Sequence, residues 1–151
     1  MKREKFAKIA ATAVLIISLT AAAGPRSNPI AVRVAGYKDL GATYKAVNDS
    51  VRRGSLAAMP GLAVRIVAAS RAQYDWFPPQ SGPRQGVKTA AKPEIWTRVA
   101  EFRAAQDRFA AQALAFQRAA ASGNATTIRS ASRQLGASCK GCHDNFRVEQ
   151  N

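Results

Sequence analysis

The sequence is poor in the residues from which most catalytic sites are built. It contains one histidine and nine acidic residues, and the carboxylates are scattered without a glycine-rich phosphate loop. These absences argue against a conventional acid–base enzyme and against a phosphate-binding site. Two cysteines and one histidine also fall short of the four ligands that a structural zinc site needs.

Acidic residues are outnumbered by 23 lysines and arginines, so the formal net charge is +14. A surface of this charge attracts anionic partners and makes association depend on salt. Most of the basic residues stand singly, however, without interleaved aromatic residues or a nucleic-acid-binding motif. We therefore expect acidic proteins as partners and no binding to nucleic acid.

The first 23 residues have the composition of an export signal. Four basic residues precede an apolar stretch at positions 9–19, and small residues end the segment at Ala23. A membrane-spanning helix needs about 20 consecutive apolar residues, and this stretch is shorter. We therefore predict a periplasmic protein from which residues 1–23 are cleaved, with residues 24–151 as one domain.

Beyond the predicted signal, apolar residues recur with the period of an α-helix, and no segment alternates as a strand would. The predicted helical segments are residues 29–51, 62–77, 93–121 and 126–148. Pro60-Gly61 and Pro78-Pro79 flank the second segment, and Pro93 suits the first turn of the third. A polar connector at residues 80–92 is the longest loop.

Two of these segments place an apolar residue at every seventh position. The first has Ile30, Tyr37, Tyr44 and Val51 in this pattern, and the third has Ile95, Phe102, Phe109 and Phe116, with Val99 and Ala113 between them. Such spacing on long helices favours near-antiparallel packing at shallow crossing angles. Because the loops are short or moderate, the sequence predicts an all-α, up-down-up-down four-helix bundle.

The fourth segment carries the motif Cys139-Lys140-Gly141-Cys142-His143, in which the spacing is C-x-x-C-H. On a helix, the two thiols and the imidazole share one face. This arrangement is typical of covalent haem c attachment, since the thiols can add to the two haem vinyl groups while the imidazole reaches the iron from the same side. A dithiol redox motif would be expected in a βαβ setting, and a disulfide would leave the histidine without a role. We therefore predict one haem c, bound through Cys139 and Cys142, with His143 as the axial iron ligand.

The residues around the motif resemble the class II cytochromes c, the family of cytochrome c-prime and its low-spin relatives. The resemblance rests on residues 135–147 (LGASCKGCHDNFR), on residues 92–96 (KPEIW) and on the phenylalanine-rich helix between them. It covers most of the chain after the predicted signal and is thinner over residues 30–77. It implies a four-helix bundle with the haem near the carboxyl end. Dimers are common in that family, which makes a homodimer a candidate assembly.

The first helix departs from the family pattern at one position. The family has an arginine followed four residues later by a Met-Lys pair, and here Arg33 is followed by Tyr37-Lys38. In low-spin relatives that methionine is the second iron ligand, whereas high-spin relatives have an apolar residue there and five-coordinate iron. Tyr37 is therefore expected in the distal pocket. A phenolate ligand is an alternative, but a neutral tyrosine binds iron weakly, so we favour a hydrogen-bond donor to a bound ligand.

Two arginines are candidates for contact with the haem. Arg33 can hold a propionate, because a guanidinium binds a carboxylate through two hydrogen bonds, or it can be a partly exposed cation of the bundle. Arg147 follows His143 by one helical turn, where it can shield the proximal face or contact a propionate. The alternative is a solvated cation that suits the end of a helix.

Together these features predict a periplasmic electron carrier with one haem c and acidic redox proteins as partners. The alternative function is the binding of nitric oxide or carbon monoxide at five-coordinate iron. The lack of a methionine at position 37 favours this alternative.

Overall fold

The computed structural model describes residues 28–84 and 87–149, so the predicted export signal lies outside the described residues. The described chain forms five α-helices, which are α1 (Pro29–Arg53), α2 (Met59–Ala72), α3 (Glu94–Thr97), α4 (Val99–Ser122) and α5 (Ala125–Phe146). A 3-10 turn at Gln73–Asp75 follows α2. Within the described ranges, none of the helices combines the length and the apolar character needed to cross a membrane.

The four long helices form a closed ring. Helix α1 packs against α2, α2 against α4, and α4 against α5, which returns to α1. Apolar residues at helical spacing explain this arrangement, because each helix buries a stripe against two neighbours. The predicted all-α four-helix bundle is confirmed.

The helix ends follow from local sequence. Asn28 and Asn124 cap α1 and α5, and their side-chain oxygens accept hydrogen bonds of 3.0 Å from the backbone N–H groups of Ile30 and Thr127. Helices α1 and α4 end at glycines in the left-handed conformation, where a side chain would be strained.

Several predicted boundaries differ from the structure, and three of the differences have a local cause. Helix α2 begins at Met59 rather than at residue 62, because Pro60 lies in the first turn, where its missing N–H costs nothing. The predicted third segment is divided at Arg98, whose φ of −108° and ψ of 50° are not helical. Helix α5 ends at Phe146, because Arg147 is extended and pairs with Ala91.

The core forms two clusters. The larger lies between all four long helices and includes Leu40, Val47, Phe109, Phe116 and Leu135. The smaller lies at the end of the bundle near the connector, and its buried members are Ala91, Ile95, Phe102, Ala105 and Phe146.

Most predicted core positions are buried, and Val99 is an exception. Ile95, Phe102 and Phe116 of the sevenfold pattern are buried, but Val99 is 60% exposed. The prediction for Val99 was wrong because the helix is interrupted at Arg98, directly before it. On α1, Tyr37 and Tyr44 are partly buried and pack against the larger cluster.

Candidate haem c site

The last turns of α5 carry the cysteine–histidine motif beside a cavity. Cys139, Cys142 and His143 all line this cavity, which has a volume of about 910 Å³. The intervening Lys140 and Gly141 are exposed and do not line it. The volume is at the upper end of the usual range for ligand pockets, about 300–1,000 Å³. The predicted face of α5 therefore opens on a space large enough for a large cofactor.

The cavity lies where the two core clusters meet. Cys139 packs against the larger cluster and Cys142 against the smaller one. Leu40, Phe102 and Phe109 from these clusters line the cavity directly. The two thiols thus stand beside apolar walls, the surroundings that a porphyrin ring requires.

Burial governs the protonation of the motif. It raises the pKa of Cys139, and it raises the pKa of Cys142 to about 11. Both cysteines are free thiols, and they are protonated near neutral pH. Burial, and then the neighbouring Arg147, lower the pKa of His143. The imidazole is therefore neutral at pH 7, which is the form that binds a metal.

The charged side chains of the cavity wall share one sign. Among the described residues that line it, the charged or imidazole side chains are Arg33, Lys38, Lys88, His143 and Arg147, with no aspartate or glutamate. A haem brings two propionate carboxylates, which such a wall would neutralise. Thiols, a neutral imidazole, apolar walls and basic residues together fit a haem c.

Helix α1 contributes Tyr37 to another wall of the cavity. The Tyr37 ring meets the Trp76 ring edge to face at a centroid distance of 4.8 Å, and it lies 6.1 Å from the Phe77 ring. Burial raises the pKa of Tyr37 above its usual value, so the phenol stays protonated at physiological pH. Trp76 lies directly on Gly36, where an added Cβ would be 2.3 Å from a carbon of the indole ring.

Arg33 is more deeply buried than the sequence indicated, with 3% exposure. Its Nη1 donates to the Trp76 carbonyl and to Ser81 Oγ at 3.4 and 3.3 Å, and its Nη2 donates to the Ser81 carbonyl and to Thr89 Oγ1 at 3.1 Å each. The guanidinium also lies 4.9 Å from the centroid of the Phe77 ring. Arg33 lines the cavity, as expected for a propionate contact, but three of its four hydrogen bonds hold the connector to α1 and the fourth holds Trp76.

The connector pairs with the end of α5 and forms part of the cavity wall, and sequence reasoning did not assign it this role. The Lys92 N–H donates to the Phe146 carbonyl at 3.0 Å, and the Val148 N–H donates to the Ala90 carbonyl at 2.8 Å. The described connector residues that line the cavity are Val87, Lys88, Thr89, Ala90 and Ala91. No periodicity marks this polar loop, so its long-range pairing had no signal in the sequence.

Arg147 is placed beside the predicted iron ligand. Its N–H donates to the His143 carbonyl at 3.0 Å, and its exposed side chain lines the cavity. Met59, in contrast, is fully buried in the first turn of α2 and packs in the larger cluster. It does not line the cavity, so Met59 supplies no second iron ligand.

Comparison with known proteins gives one consistent family. The family model described as Cytochrome C' matches residues 28–147. The chain is 41% identical to the cytochrome c' of Rubrivivax gelatinosus over 66 residues, which is 44% of this chain and 51% of that protein. It is 27% identical to the cytochrome c' of Allochromatium vinosum over 123 residues, or 80% of each chain. The first of these matches spans only about half the length of the curated relative.

Solved structures share the fold over a larger part of the chain. Cytochrome c' from Thermochromatium tepidum superimposes with a TM-score of 0.75 at 26% identity, covering 80% of this chain and 95% of that one. A cytochrome c' described as having ligand-controlled dimer dissociation gives a TM-score of 0.77 at 25% identity, covering 84% and 100%. A variant of the Alcaligenes xylosoxidans protein, solved as a nitric oxide complex, gives 0.74 at 23% identity, covering 82% and 95%, which shows the fold alone. With the family model matched across almost all of the described residues, the chain belongs to the cytochrome c' family.

Proposed function

We propose that this protein is an exported haem c protein that binds a diatomic gas, nitric oxide or carbon monoxide, at its iron. The proposal assigns Cys139 and Cys142 to the thioether bonds, His143 to the iron and Tyr37 to the gas-binding side. One observation carries it: among the described residues that line the cavity, no side chain other than His143 is a strong iron ligand at neutral pH. A bound haem iron would then be five-coordinate, because a buried neutral phenol is a weak ligand.

When bound, the haem supplies an iron that exchanges one electron and takes a small ligand on its free face. The residues of this chain then have separate tasks. His143 would hold the iron as a neutral imidazole, because burial and then the neighbouring Arg147 lower its pKa. Leu40 and Phe77 would give the haem apolar walls. The protonated Tyr37 hydroxyl is available to donate a hydrogen bond to a bound ligand.

Family membership supports the gas-binding function. The Alcaligenes xylosoxidans cytochrome c' has been solved with nitric oxide bound, both in variants with one leucine replaced and in a ferrous variant with one arginine replaced. These relatives share the fold of this chain. We extend nitric oxide binding from these relatives to this protein because no described cavity side chain other than His143 is a strong iron ligand at neutral pH.

The test is a titration with carbon monoxide of the matured protein, which is the form with haem covalently attached. The protein is reduced, and its visible absorption spectrum is recorded at each step. We expect a five-coordinate spectrum that converts to a six-coordinate adduct. A reduced protein that is already six-coordinate and does not respond to the gas would contradict the proposal. In Tyr37→Phe, an unchanged spectrum without ligand would rule out iron ligation by the phenol, and faster gas dissociation would show that the hydroxyl donates a hydrogen bond.

Electron transfer is a second candidate function, favoured by the charge around the cavity. Lys38 and Lys88 line the cavity, are exposed, and make no ion pair within the described residues. Such cations favour weak, salt-sensitive encounters with acidic redox proteins. Reduced flavin mononucleotide, an anionic donor, is a suitable probe. Its electron-transfer rate is expected to fall as salt rises. The rate of electron transfer from the flavin should also fall when Lys38 and Lys88 are both replaced by glutamate. It should fall less in the control with Arg118→Glu and Arg129→Glu, because these two residues do not line the cavity.

The proposal includes export to the periplasm with cleavage after Ala23. It rests on the basic and apolar composition of residues 1–23. N-terminal sequencing of the haem-containing protein from a periplasmic extract tests it, since an intact Met1 would contradict it. Light scattering with and without carbon monoxide tests for a homodimer, for which the relative with ligand-controlled dissociation provides the precedent.

A further inference from the structure

Helices α1 and α5 meet beside the cavity at a contact between Tyr44 and Gly136. The Tyr44 hydroxyl donates to the Ser132 carbonyl at 2.9 Å. A Cβ placed on Gly136 would lie 2.2 Å from Tyr44 Oη and 3.1 Å from Tyr44 Cζ. The end of the tyrosine ring therefore occupies the space that any larger residue at position 136 would need.

A second hydrogen bond supports this contact. Ser132 Oγ donates to Asn48 Oδ1 at 3.2 Å. Asn48 follows Tyr44 by one turn of α1, and Gly136 follows Ser132 by one turn of α5. Ser132 is 3% exposed, so water competes little for these bonds. The two bonds fix both the separation of the helices and their axial register.

The contact lies next to the proposed haem site. Tyr44 is two turns from Tyr37 on α1, and Cys139 is three residues from Gly136 on α5. Tyr37, Tyr44 and Cys139 all line the cavity, whereas Gly136 and Ser132 do not. The contact therefore joins the helix with the candidate distal residue to the helix with the haem-attachment motif.

We propose that Tyr44 and Gly136 form a spacer that sets the width of the haem crevice between α1 and α5. Through this width they control how closely Tyr37 approaches the ligand-binding side of the haem. They are positioning residues, because the proposal gives neither of them a role at the iron. The gas-binding consequence rests on the proposed function, whereas the spacer itself rests on the contact distances.

The geometry predicts a compensating pair of substitutions. Gly136→Ala adds a Cβ that collides with the phenol oxygen, which is hydrogen-bonded and cannot swing away freely, so the helices must separate. Tyr44→Phe removes that oxygen, and the nearest ring atom is then 3.1 Å away, which requires a shift of only a few tenths of an ångström. The alanine should therefore be tolerated in the Tyr44→Phe background.

The experiment compares the full-length, matured protein in five forms: unsubstituted, Gly136→Ala, Tyr44→Phe, the double variant and Gly61→Ala. Gly61 is the matched control, since it is an exposed helical glycine outside the cavity with no atom within 4 Å of an added Cβ. The measurements are thermal unfolding and carbon monoxide affinity of the reduced protein. We expect Gly136→Ala to lower the unfolding temperature and to change the affinity by about fivefold or more, the factor that corresponds to about 1 kcal/mol.

The double variant should return both quantities towards those of Tyr44→Phe, and Gly61→Ala should leave the affinity unchanged. If Gly136→Ala does not fold but the double variant does, the spacer is also supported. Additive effects in unfolding, or a folded Gly136→Ala with unaltered affinity, would overturn it. If the unsubstituted protein binds no carbon monoxide, the proposed gas-binding function is wrong. The double-mutant cycle of unfolding temperatures still shows whether Tyr44 and Gly136 are coupled.

Discussion

On one side of the cavity, a single helix supplies both thiols and the imidazole within five consecutive residues of α5. The other side is assembled from three separate segments: Arg33 and Tyr37 on α1, Phe77 after α2, and the connector. The first group is held together by helical geometry alone, whereas the second depends on contacts between residues more than 40 positions apart. Chemistry that must be exact is thus encoded locally, and the environment that modulates it is encoded by tertiary packing.

The largest effect is expected from the local side. Replacing both Cys139 and Cys142 with alanine should abolish covalent haem attachment, because no other cysteine exists in the chain. Mass spectrometry of the peptide that contains residues 139–143 should show the porphyrin mass in the unsubstituted protein and none in the variant. If the unsubstituted peptide lacked the added mass in a host that matures cytochromes c, the assignment of the motif would be wrong.

A large effect on stability is also expected at Arg33, which joins α1 to the two other segments on the second side of the cavity. Arg33→Leu leaves the Trp76 and Ser81 carbonyls without their buried donor, so the free energy of unfolding should fall by about 3 kcal/mol. Denaturant titration measures this. Arg118→Leu is the control, since Arg118 is exposed and the change should stay within about 0.5 kcal/mol. Equal effects at the two sites would show that Arg33 does not hold the connector.

A smaller effect on stability is expected where the Trp76 ring contacts Gly36. Gly36→Ala places a Cβ 2.3 Å from the indole, and the overpacking should exceed the gain in helix propensity, for a net loss of about 1–2 kcal/mol. Gly61→Ala, where the space is open, should be neutral or stabilising. Thermal unfolding of the two variants checks this. A stabilised Gly36→Ala protein would mean that Trp76 does not rest on α1.

The smallest effect is a dependence of the free energy of unfolding on pH, caused by Tyr37. Because burial raises the pKa of Tyr37 above its ordinary value of 10.0, the unfolded chain loses this proton first as pH rises. The stability contribution is present below pH 10 and is lost above it, by at most about 1.4 kcal/mol per pH unit. Urea titrations at pH 9 and 11 should show a smaller loss for Tyr37→Phe than for the unsubstituted protein. Equal losses would place the phenol in water.

The local part of the molecule could be predicted from the sequence, for a physical reason. The spacing of Cys139, Cys142 and His143 and the sevenfold repeat of Phe102, Phe109 and Phe116 depend only on helix geometry. They predicted the bundle and the face of α5 that lines the cavity. The sevenfold pattern of α1, together with the resemblance to class II cytochromes c, predicted that Tyr37 lies in the cavity wall.

The remaining features depend on distant partners. Arg33 looked like a cation for a propionate or for solvent, but its partners Ser81 and Thr89 lie in a loop without periodicity. Nothing in the sequence marks Gly36 and Gly136 as contact sites, and only the three-dimensional contact shows that each receives an aromatic side chain. The exposure of Val99 likewise follows from the break at Arg98, which no local signal marks.

In the proposed function, His143 alone holds the iron and the iron face beside Tyr37 is open. The most direct measurement is low-temperature electron paramagnetic resonance of the oxidised, matured protein. With His143 as the sole protein ligand, we expect a high-spin ferric signal that becomes low-spin only when a strong exogenous ligand such as cyanide is added. A low-spin signal in the protein as purified, without added ligand, would contradict it.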